Sequence, residues 1–444
     1  MRKLLLFSIL ILIFNQYLFS QSKKIIELSF DDVIGISKSE NLSLRSKILE
    51  NEYQDLEVWK SYSYFLPSLN YQVLATNNLE LPVFVFMGQK FTVGTKFAFQ
   101  HSLDLSLPIL TGGSRWFNIK IQNNIKKSLS EELKGKEKEV VLQSLQAYYG
   151  TILAASLLKT ANESVNVSKS NLEQVKKYYE AGTATELDLQ RAKAQLAASL
   201  PNLEKAKSEK ILSLQRLKFL LNISFEDSLV ISDSLMKKDF LQDFSSTKLS
   251  ELKDISFENR NDIKSLLYKI EATKQSENIS LGSFTPTVSV SANLAHQAQL
   301  SNSNVMWNDY IRSKSISLAL IWPLFEGGRK ILNYQQARIQ TEQMELMFEQ
   351  ADKGRILDVE QNYYNFSESV KNLESLNEAM IQSKESLRLA NLLYAEGMST
   401  QLDVLNAQLL NTSNQTQYYQ GIYNYNISQL NLLYSMGILN KIWE

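Results

Sequence analysis

Four segments of the chain alternate between apolar and polar positions, which is the pattern of β-strands with one apolar and one polar face. They cover about residues 62–76, 96–109, 284–295 and 312–324. A run of about ten such residues suffices for a transmembrane strand that turns its apolar face to lipid. A soluble β-sandwich with a solvated outer face has the same period, so the pattern alone leaves both structures open.

Behind each pair of strands the apolar residues change to helical spacing. Separations of four and three residues are typical of coiled coils. They occur at Val141, Leu145, Tyr148 and Ile152, and again at Tyr363, Phe366, Val370 and Leu373. The pattern predicts long helices at about residues 114–181, 185–221, 329–396 and 400–436. At a rise of about 1.5 Å per residue, the first helix would be about 100 Å long, so we expect a rod or a tube.

The chain is an internal duplication, since the same residues recur at an offset of 215 positions. The recurring pairs include Pro108 and Pro323, Gly112 and Gly327, Gly113 and Gly328, Gly182 and Gly397, Thr185 and Thr400, and Asp188 and Asp403. Nearer the amino terminus the offset becomes 219, as for Pro67 and Pro286. We expect a first repeat at 21–221, a small mixed segment at 222–254, a second repeat at 255–437 and a carboxy-terminal tail at 438–444. Each repeat is expected to begin with a helix.

The amino terminus has the pattern of a secretory signal. Arg2 and Lys3 precede an apolar run from Leu4 to Phe14, which is too short to span a bilayer. We therefore expect residues 1–20 to be a signal peptide, although a short buried helix remains the alternative. An exported chain of this kind is periplasmic, secreted or an outer-membrane β-barrel.

Composition narrows the chemistry that the chain can perform. It has no Cys and only two His, His101 and His296, so thiol catalysis and Cys zinc sites are excluded and His-based sites nearly so. The 47 basic residues balance the 47 acidic ones, which gives no electrostatic footprint for nucleic acid. We expect a protein that is not an enzyme, with no cofactor, no metal site and no nucleic-acid partner.

The number of strands has a consequence for assembly. Four strands cannot close a barrel around water, and open sheet edges are not tolerated in lipid. If the strands lie in a membrane, several chains must contribute strands to one barrel. The sequence therefore predicts an oligomer.

These features together resemble the TolC family of outer-membrane efflux proteins. They are the signal peptide, the two copies, the Pro-x-x-x-Gly-Gly junctions before the long helices, and the Tyr-x-x-Gly-x-x-Thr-x-Leu-Asp segments between helices. The resemblance implies a mainly α-helical chain with a β-barrel part. It also implies a homotrimer in which a twelve-stranded outer-membrane barrel continues as a periplasmic α-helical tunnel. The apolar segment 81–86 is similar to an extracellular loop of some members.

By the same resemblance, the chain would be the exit duct of a tripartite efflux or type I secretion system. It would conduct passively from the periplasm to the exterior, in contact with outer-membrane lipid. Its partners would be a periplasmic adaptor (membrane fusion) protein and an inner-membrane pump of the RND or ABC type. The alternative is a periplasmic coiled-coil scaffold with a soluble β-module and no pore.

The candidate functional residues lie where pairs of long helices join. They are Gly182, Thr185, Asp188, Tyr394, Gly397, Ser399, Thr400 and Asp403. Each Gly suits the position after a helix, and each Thr-x-x-Asp suits a helix start in which Thr is the N-cap. That capping role alone explains the acids.

The resemblance adds a second role, in which these segments form the closed periplasmic entrance of the tunnel. Asp403 would supply a ring of three carboxylates, while Tyr394 and Asp188 match positions of an inter-helix latch. Ser399 replaces a latch Arg of the best-known relative, and Asn406 replaces a second ring acid. We therefore expect a closed state held by fewer charged bonds.

The junctions Pro108, Gly112, Gly113, Pro323, Gly327 and Gly328 are expected to be strand-to-helix corners. A phosphate-binding loop is disfavoured, because no Lys-Ser/Thr pair follows the glycines and no strand–helix–strand unit surrounds them.

Overall fold

The computed structural model describes residues 25–241 and 247–444, so the expected signal peptide lies outside the described residues. The chain divides into two compact units. One comprises the described residues of 1–47, 134–260 and 354–444, and the other comprises 48–133 and 261–353. Among the described residues, no helix is both long and apolar enough to cross a bilayer.

Most of the described chain is helical. The helices are α1 (Phe30–Glu40), α2 (Leu42–Ser63), α3 (Ser114–Glu180), α4 (Glu186–Leu220), α5 (Leu249–Asn259), α6 (Asn261–Gly282), α7 (Arg329–Ala395) and α8 (Gln401–Ser435). The strands are β1 (Ile25–Leu28), β2 (Ser68–Asn77), β3 (Val83–Phe86), β4 (Gln89–Thr92), β5 (Phe97–Thr111), β6 (Ser228–Ile231), β7 (Thr287–Leu300) and β8 (Ile311–Ile321). Short 3₁₀ turns lie at Trp307–Asp309 and Leu439–Ile442.

The duplication is visible in the element bounds. Helices α1 and α2 recur as α5 and α6, and strand β2 recurs at the start of β7, all at an offset of 219. Helices α3 and α4 recur as α7 and α8 at an offset of 215, at both of their ends. The offset changes because the connection between the two strands is longer in the first copy.

The structure differs from the sequence-based bounds in several places. Strand β7 covers Thr287–Leu300 rather than 284–295, and β8 ends at Ile321 rather than near residue 324. The first strand begins at Ser68 rather than near residue 62, because α2 continues through Ser63 and a turn precedes the strand. Tyr62, Tyr64 and Leu66 lie at every second position, as the apolar residues of a strand would, although Tyr62 still belongs to the helix. The expected boundary at 254 falls inside α5. The apolar segment 81–86 forms part of a two-stranded hairpin, in which β3 pairs with β4.

A four-stranded antiparallel sheet has the order β2-β5-β7-β8. Its central pairing, between β5 and β7, joins the two copies, so that Leu103 lies opposite Leu294. Opposed residues share a face, and one face is therefore apolar, as the alternation predicted. On edge strand β8 this face is well exposed, with 84% of Ile316 and 71% of Leu318 accessible.

The largest apolar core lies in the first unit. Helix α3 contributes Val141, Leu145 and Tyr148, and α8 contributes Leu430 and Leu433. The Tyr148 hydroxyl donates to Asp233 over 2.6 Å, and burial is the main cause that raises the pKa of Tyr148. A parallel pair of short strands, β1 and β6, borders this core, and the sequence pattern did not predict it.

Candidate functional site: the helical hairpins and the strand-to-helix junctions

The two helical hairpins turn in the same way. Gly182 follows α3 with φ of 76°, and Gly397 follows α7 with φ of 73°. The next residue in each case, Thr183 or Met398, donates its backbone N–H to a carbonyl five residues back, at 2.8 Å. Positive φ is cheap for Gly alone, so both glycines occupy the helix-ending position expected from the sequence.

Both second helices begin with a capping box. The Thr185 hydroxyl oxygen accepts from the Asp188 N–H at 3.1 Å, and an Asp188 carboxylate oxygen accepts from the Thr185 N–H at 3.1 Å. The same bonds join Thr400 and Asp403 at 3.3 and 2.9 Å. The Thr400 hydroxyl and then its N–H hold the pKa of Asp403 below its usual value. The capping prediction is therefore confirmed in both copies.

Side chains from the two hairpins meet at Tyr394. Its ring centroid lies 5.6 Å from that of Tyr178, at an interplanar angle of 65°. The ring also packs against the small cluster of Val175, Leu189 and Ala192. Burial raises the pKa of Tyr394, and the negative charge of Asp188 adds to that effect. The structure therefore places Tyr394 of the second copy against the first hairpin, close enough to Asp188 for the carboxylate charge to act on the Tyr394 hydroxyl.

Asp188 also forms an ion pair within its own helix. A guanidinium nitrogen of Arg191, one turn further along α4, lies 3.7 Å from Asp188 Oδ1. Asp403 has no ion pair among the described residues, and it lines an open groove with Ser399, Asn406 and Glu385. The two capping acids thus share one backbone geometry but differ in electrostatic surroundings.

A buried polar seam, which the sequence pattern did not predict, joins α8 to α3. The Gln401 side-chain amide donates to Asn171 Oδ1 at 3.1 Å, and the Gln408 amide donates to Ser168 Oγ at 2.6 Å. Both glutamines are nearly inaccessible, yet the Oε1 atom of each has no hydrogen-bond partner within the described part of the chain. The available signal was the spacing of seven residues, which returns to the same coiled-coil position.

The strand-to-helix junctions also repeat. The Pro108 carbonyl accepts from the Arg115 guanidinium, and the Pro323 carbonyl accepts from the Lys330 ammonium group seven residues later. All four junction glycines have φ between 62° and 81°. A Cβ atom on Gly112 would lie only 2.1 Å from the Gly282 carbonyl oxygen, so the corner also requires a residue without a side chain.

The described residues contain no group of three or more His, Cys, Asp or Glu that could hold a metal ion.

The sequence matches the profile of a protein family described as outer membrane efflux protein, over residues 63–222 and 254–437. The outer membrane protein TolC of Salmonella enteritidis is 21% identical over 338 residues, which cover 74% of this chain and 67% of TolC. The alkaline protease secretion protein AprF of Pseudomonas aeruginosa is 19% identical over 313 residues, or 70% of this chain and 64% of AprF.

Solved structures agree with the fold. The outer-membrane channel CmeC of Campylobacter jejuni is 16% identical, with a TM-score of 0.79 over 92% of this chain and 86% of the channel. The outer membrane protein VceC of Vibrio cholerae is 16% identical, with a TM-score of 0.77 over 92% of this chain and 96% of VceC. The prediction of a mainly helical chain with a strand part is therefore confirmed.

The family profile covers most of the chain, in both copies and in the same order. Its members are channel proteins rather than enzymes, and the location expected from the resemblance is confirmed as the outer membrane. The chain belongs to the outer membrane efflux protein family and serves as an outer-membrane exit duct.

Proposed function

We propose that three copies of this chain combine their strands into one twelve-stranded barrel, which their long helices continue as a periplasmic tunnel. The duct acts by conduction without catalysis or a cofactor. A periplasmic adaptor and an inner-membrane pump of the RND or ABC type supply cargo and energy. The observation that carries the proposal is the repeat itself, because it specifies how one subunit pairs with the next.

Pairing within the chain gives the expected register between chains. Strand β5 of the first copy pairs with β7 of the second, with Leu103 opposite Leu294. Adding the repeat offset of 215 to the residue numbers of β5 gives positions in β8, and subtracting the offset of 219 from those of β7 gives positions in β2. The pairing of β5 with β7 therefore predicts how β8 of one subunit pairs with β2 of the next. Leu318 is then expected opposite Ala75 of the next subunit. Both residues lie on the apolar face of the sheet, so the derived register preserves the faces.

The same repeat offsets relate a junction glycine of one subunit to a residue of the next subunit. Gly112 lies against Gly282 at the end of α6, whereas nothing lies within 4 Å of the Cβ position of Gly327 in a single subunit. The repeat offset converts Gly282 into Ser63, the last residue of α2. A contact as close as that between Gly112 and Gly282 cannot form there, because a Cβ atom at position 282 would lie 2.0 Å from the Gly112 carbonyl oxygen. Gly327 is therefore expected to lie near Ser63 of the next subunit in a looser contact, and its φ of 62° already favours Gly.

The hairpins are proposed as the periplasmic entrance and as the docking site for the adaptor. The contact of Tyr394 with the first hairpin and its proximity to Asp188 would hold the two hairpins together in a closed state. The seam at Gln401 and Gln408 would make separation of α8 from α3 less costly, because a polar interface with unpartnered oxygens is weaker than an apolar one. Asp403 would add negative charge at the constriction.

A cysteine pair tests the register. The chain has no native Cys, and the periplasm favours disulfides, so Leu318→Cys with Ala75→Cys should give covalently linked oligomers on export. The matched control combines Leu318→Cys with Tyr71→Cys, four residues along the strand. Its Cα atoms would be more than about 7 Å apart, too far to bridge.

Equal crosslinking of both pairs, or of neither in a membrane-inserted protein, would contradict the derived register. A soluble periplasmic chain that gives no single-channel conductance would instead favour the scaffold without a pore.

A further inference from the structure

Two cations lie on the mostly apolar face of the four-stranded sheet, which also carries His101 and His296. Arg312 and Lys314 occupy the same side of β8 as Ile316, Leu318 and Leu320. Both are exposed, and neither forms an ion pair or a side-chain hydrogen bond within residues 25–241 and 247–444. A charged group on a surface that leaves water is costly unless an anion accompanies it.

The sheet itself supplies no such anion. The single acid in its four strands is Asp104, which lies on the opposite face. There it accepts hydrogen bonds from the Ser102 hydroxyl and the Asn293 amide. Edge strand β2, which the proposed assembly places beside β8, contains no carboxylate either. A partner for the two cations must come from outside the sheet.

Aromatic and imidazole groups lie in the same row as Arg312. This row places His101 opposite His296, and His296 opposite Arg312. The Tyr71 hydroxyl is 2.8 Å from His101 Nδ1, and the Tyr310 hydroxyl is 3.1 Å from His101 Nε2.

The Trp307 ring covers this row, with its centroid 5.7 Å from that of His296. Trp and Tyr concentrate where membrane meets water, so the row has the composition of a membrane boundary.

The distance from the Arg312 row to Trp322, near the other end of β8, fits the thickness of a membrane. Trp322, 55% exposed, follows the end of β8 and lies ten residues from Arg312. Ten residues span about 34 Å along an antiparallel strand. At a tilt of about 40°, this becomes about 26 Å, close to the ~25 Å apolar band of outer-membrane barrels. The two cations therefore lie at the boundary farther from the start of α7.

We propose that Arg312 and Lys314 bind the phosphate of a membrane-lipid headgroup in the leaflet farther from the long helices. This site rests on the proposed function, because it requires the apolar face to contact lipid. The guanidinium donates to phosphate oxygens in a fixed fork, and the ammonium adds a second positive charge two residues along the strand. The apolar residues below the pair would contact the acyl chains.

Lipid retention tests the site. The assembled protein is reconstituted into nanodiscs of phosphatidylglycerol and phosphatidylcholine, and retained phosphatidylglycerol is counted by native mass spectrometry. Arg312→Gln and Lys314→Gln should each lower its apparent affinity about five-fold, the effect of one cation near an anionic surface. The double variant should combine both losses. Lys90→Gln, which removes an exposed cation from β4 outside this sheet, and Lys314→Arg, which keeps the charge, should behave as wild type.

Three results would overturn the assignment. Unchanged phosphatidylglycerol retention in a properly inserted double variant would remove the site but leave the duct intact. Equal binding of excess inorganic phosphate in phosphatidylcholine discs would identify a free anion instead of a lipid. Failure of the wild-type chain to insert into a membrane would remove both this site and the proposed function.

Discussion

The second helices of the two copies, α4 and α8, have the same length and matching ends but different surroundings. Helix α8 buries residues along most of its length, including Ile422, Tyr425 and Leu430. Helix α4 buries few residues and leaves apolar side chains such as Leu212 and Phe219 exposed. A duplicated backbone therefore does not require a duplicated environment.

Two amide side chains account for much of the difference. Asn426 accepts from the Lys238 N–H at 3.0 Å and donates to the Met236 carbonyl at 2.9 Å. Gln429 makes the equivalent pair of bonds with Phe240 and Lys238. Together they attach the segment between the copies to α8. At the matching positions α4 carries Ile211 and Leu214, which cannot form such bonds.

The largest expected effect is at the buried helix. Ile422→Ala should lower the free energy of unfolding by about 2–5 kcal/mol, because it leaves a cavity in the core of the first unit. The matched control is Lys207→Ala, at the same position of α4, where the side chain is exposed and should contribute less than about 0.5 kcal/mol. Urea denaturation measures both. Similar losses of unfolding free energy in the two variants would show that α4 and α8 are equally buried in the assembled protein.

The second-largest effect is expected where Asn426 holds the segment 236–240 against α8. Asn426→Ala should cost about 1–3 kcal/mol, because the amide of the buried Asn426 no longer bonds two backbone groups of the segment. It should also speed proteolytic cleavage near residues 236–240. Asn424→Ala, on the exposed side of the same helix, serves as the control. Cleavage at the wild-type rate in Asn426→Ala would show that the segment is held by other contacts.

The capping boxes should respond alike despite these differences. Thr185→Ala and Thr400→Ala should each lower stability by about 1 kcal/mol, the usual cost of losing an N-cap hydroxyl. Thermal unfolding of the two variants checks this equality. A much larger loss for Thr400→Ala would indicate that the second hairpin has a role beyond capping.

The smallest effect is a pH dependence at Asp403. Its pKa is lowered in the folded chain, so its ionised form stabilises the fold above the ordinary pKa of about 3.9. That contribution is lost as pH falls through the lowered value. The stability difference between wild type and Asp403→Asn should therefore exist at neutral pH and shrink below about pH 4. Thr400→Ser keeps the hydroxyl and should retain the wild-type pH dependence of stability. A stability difference between wild type and Asp403→Asn that stays constant from neutral pH to below about pH 4 would contradict the capping role of the Asp403 carboxylate.

Periodicity and repetition were enough to predict much of this fold. The strict alternation through Leu103 and Leu318 and the capping pattern at Thr185 and Thr400 are local signals, so they can be read from sequence. The attachment of residues 236–240 and the seam at Gln401 depend on contacts between distant segments. The seven-residue spacing of Gln401 and Gln408 indicates a shared helix face but not the helix that it contacts, and a single Asn in a helix gives no local sign of its partner. The hairpin β3–β4 was missed because its apolar run is too short to show a period.

The pairing of β5 with β7 sets the order of events during folding. Leu103 must find Leu294, so most of the chain has to be exported before the centre of the sheet can form. Closing so long a loop costs little more than closing a moderate one, but contacts of such sequence separation form slowly. Until then, the edge of β5 that will pair with β7 leaves its backbone N–H and C=O groups open to other chains. The duplicated architecture therefore requires a waiting period during biogenesis, in which the first copy depends on protection from aggregation.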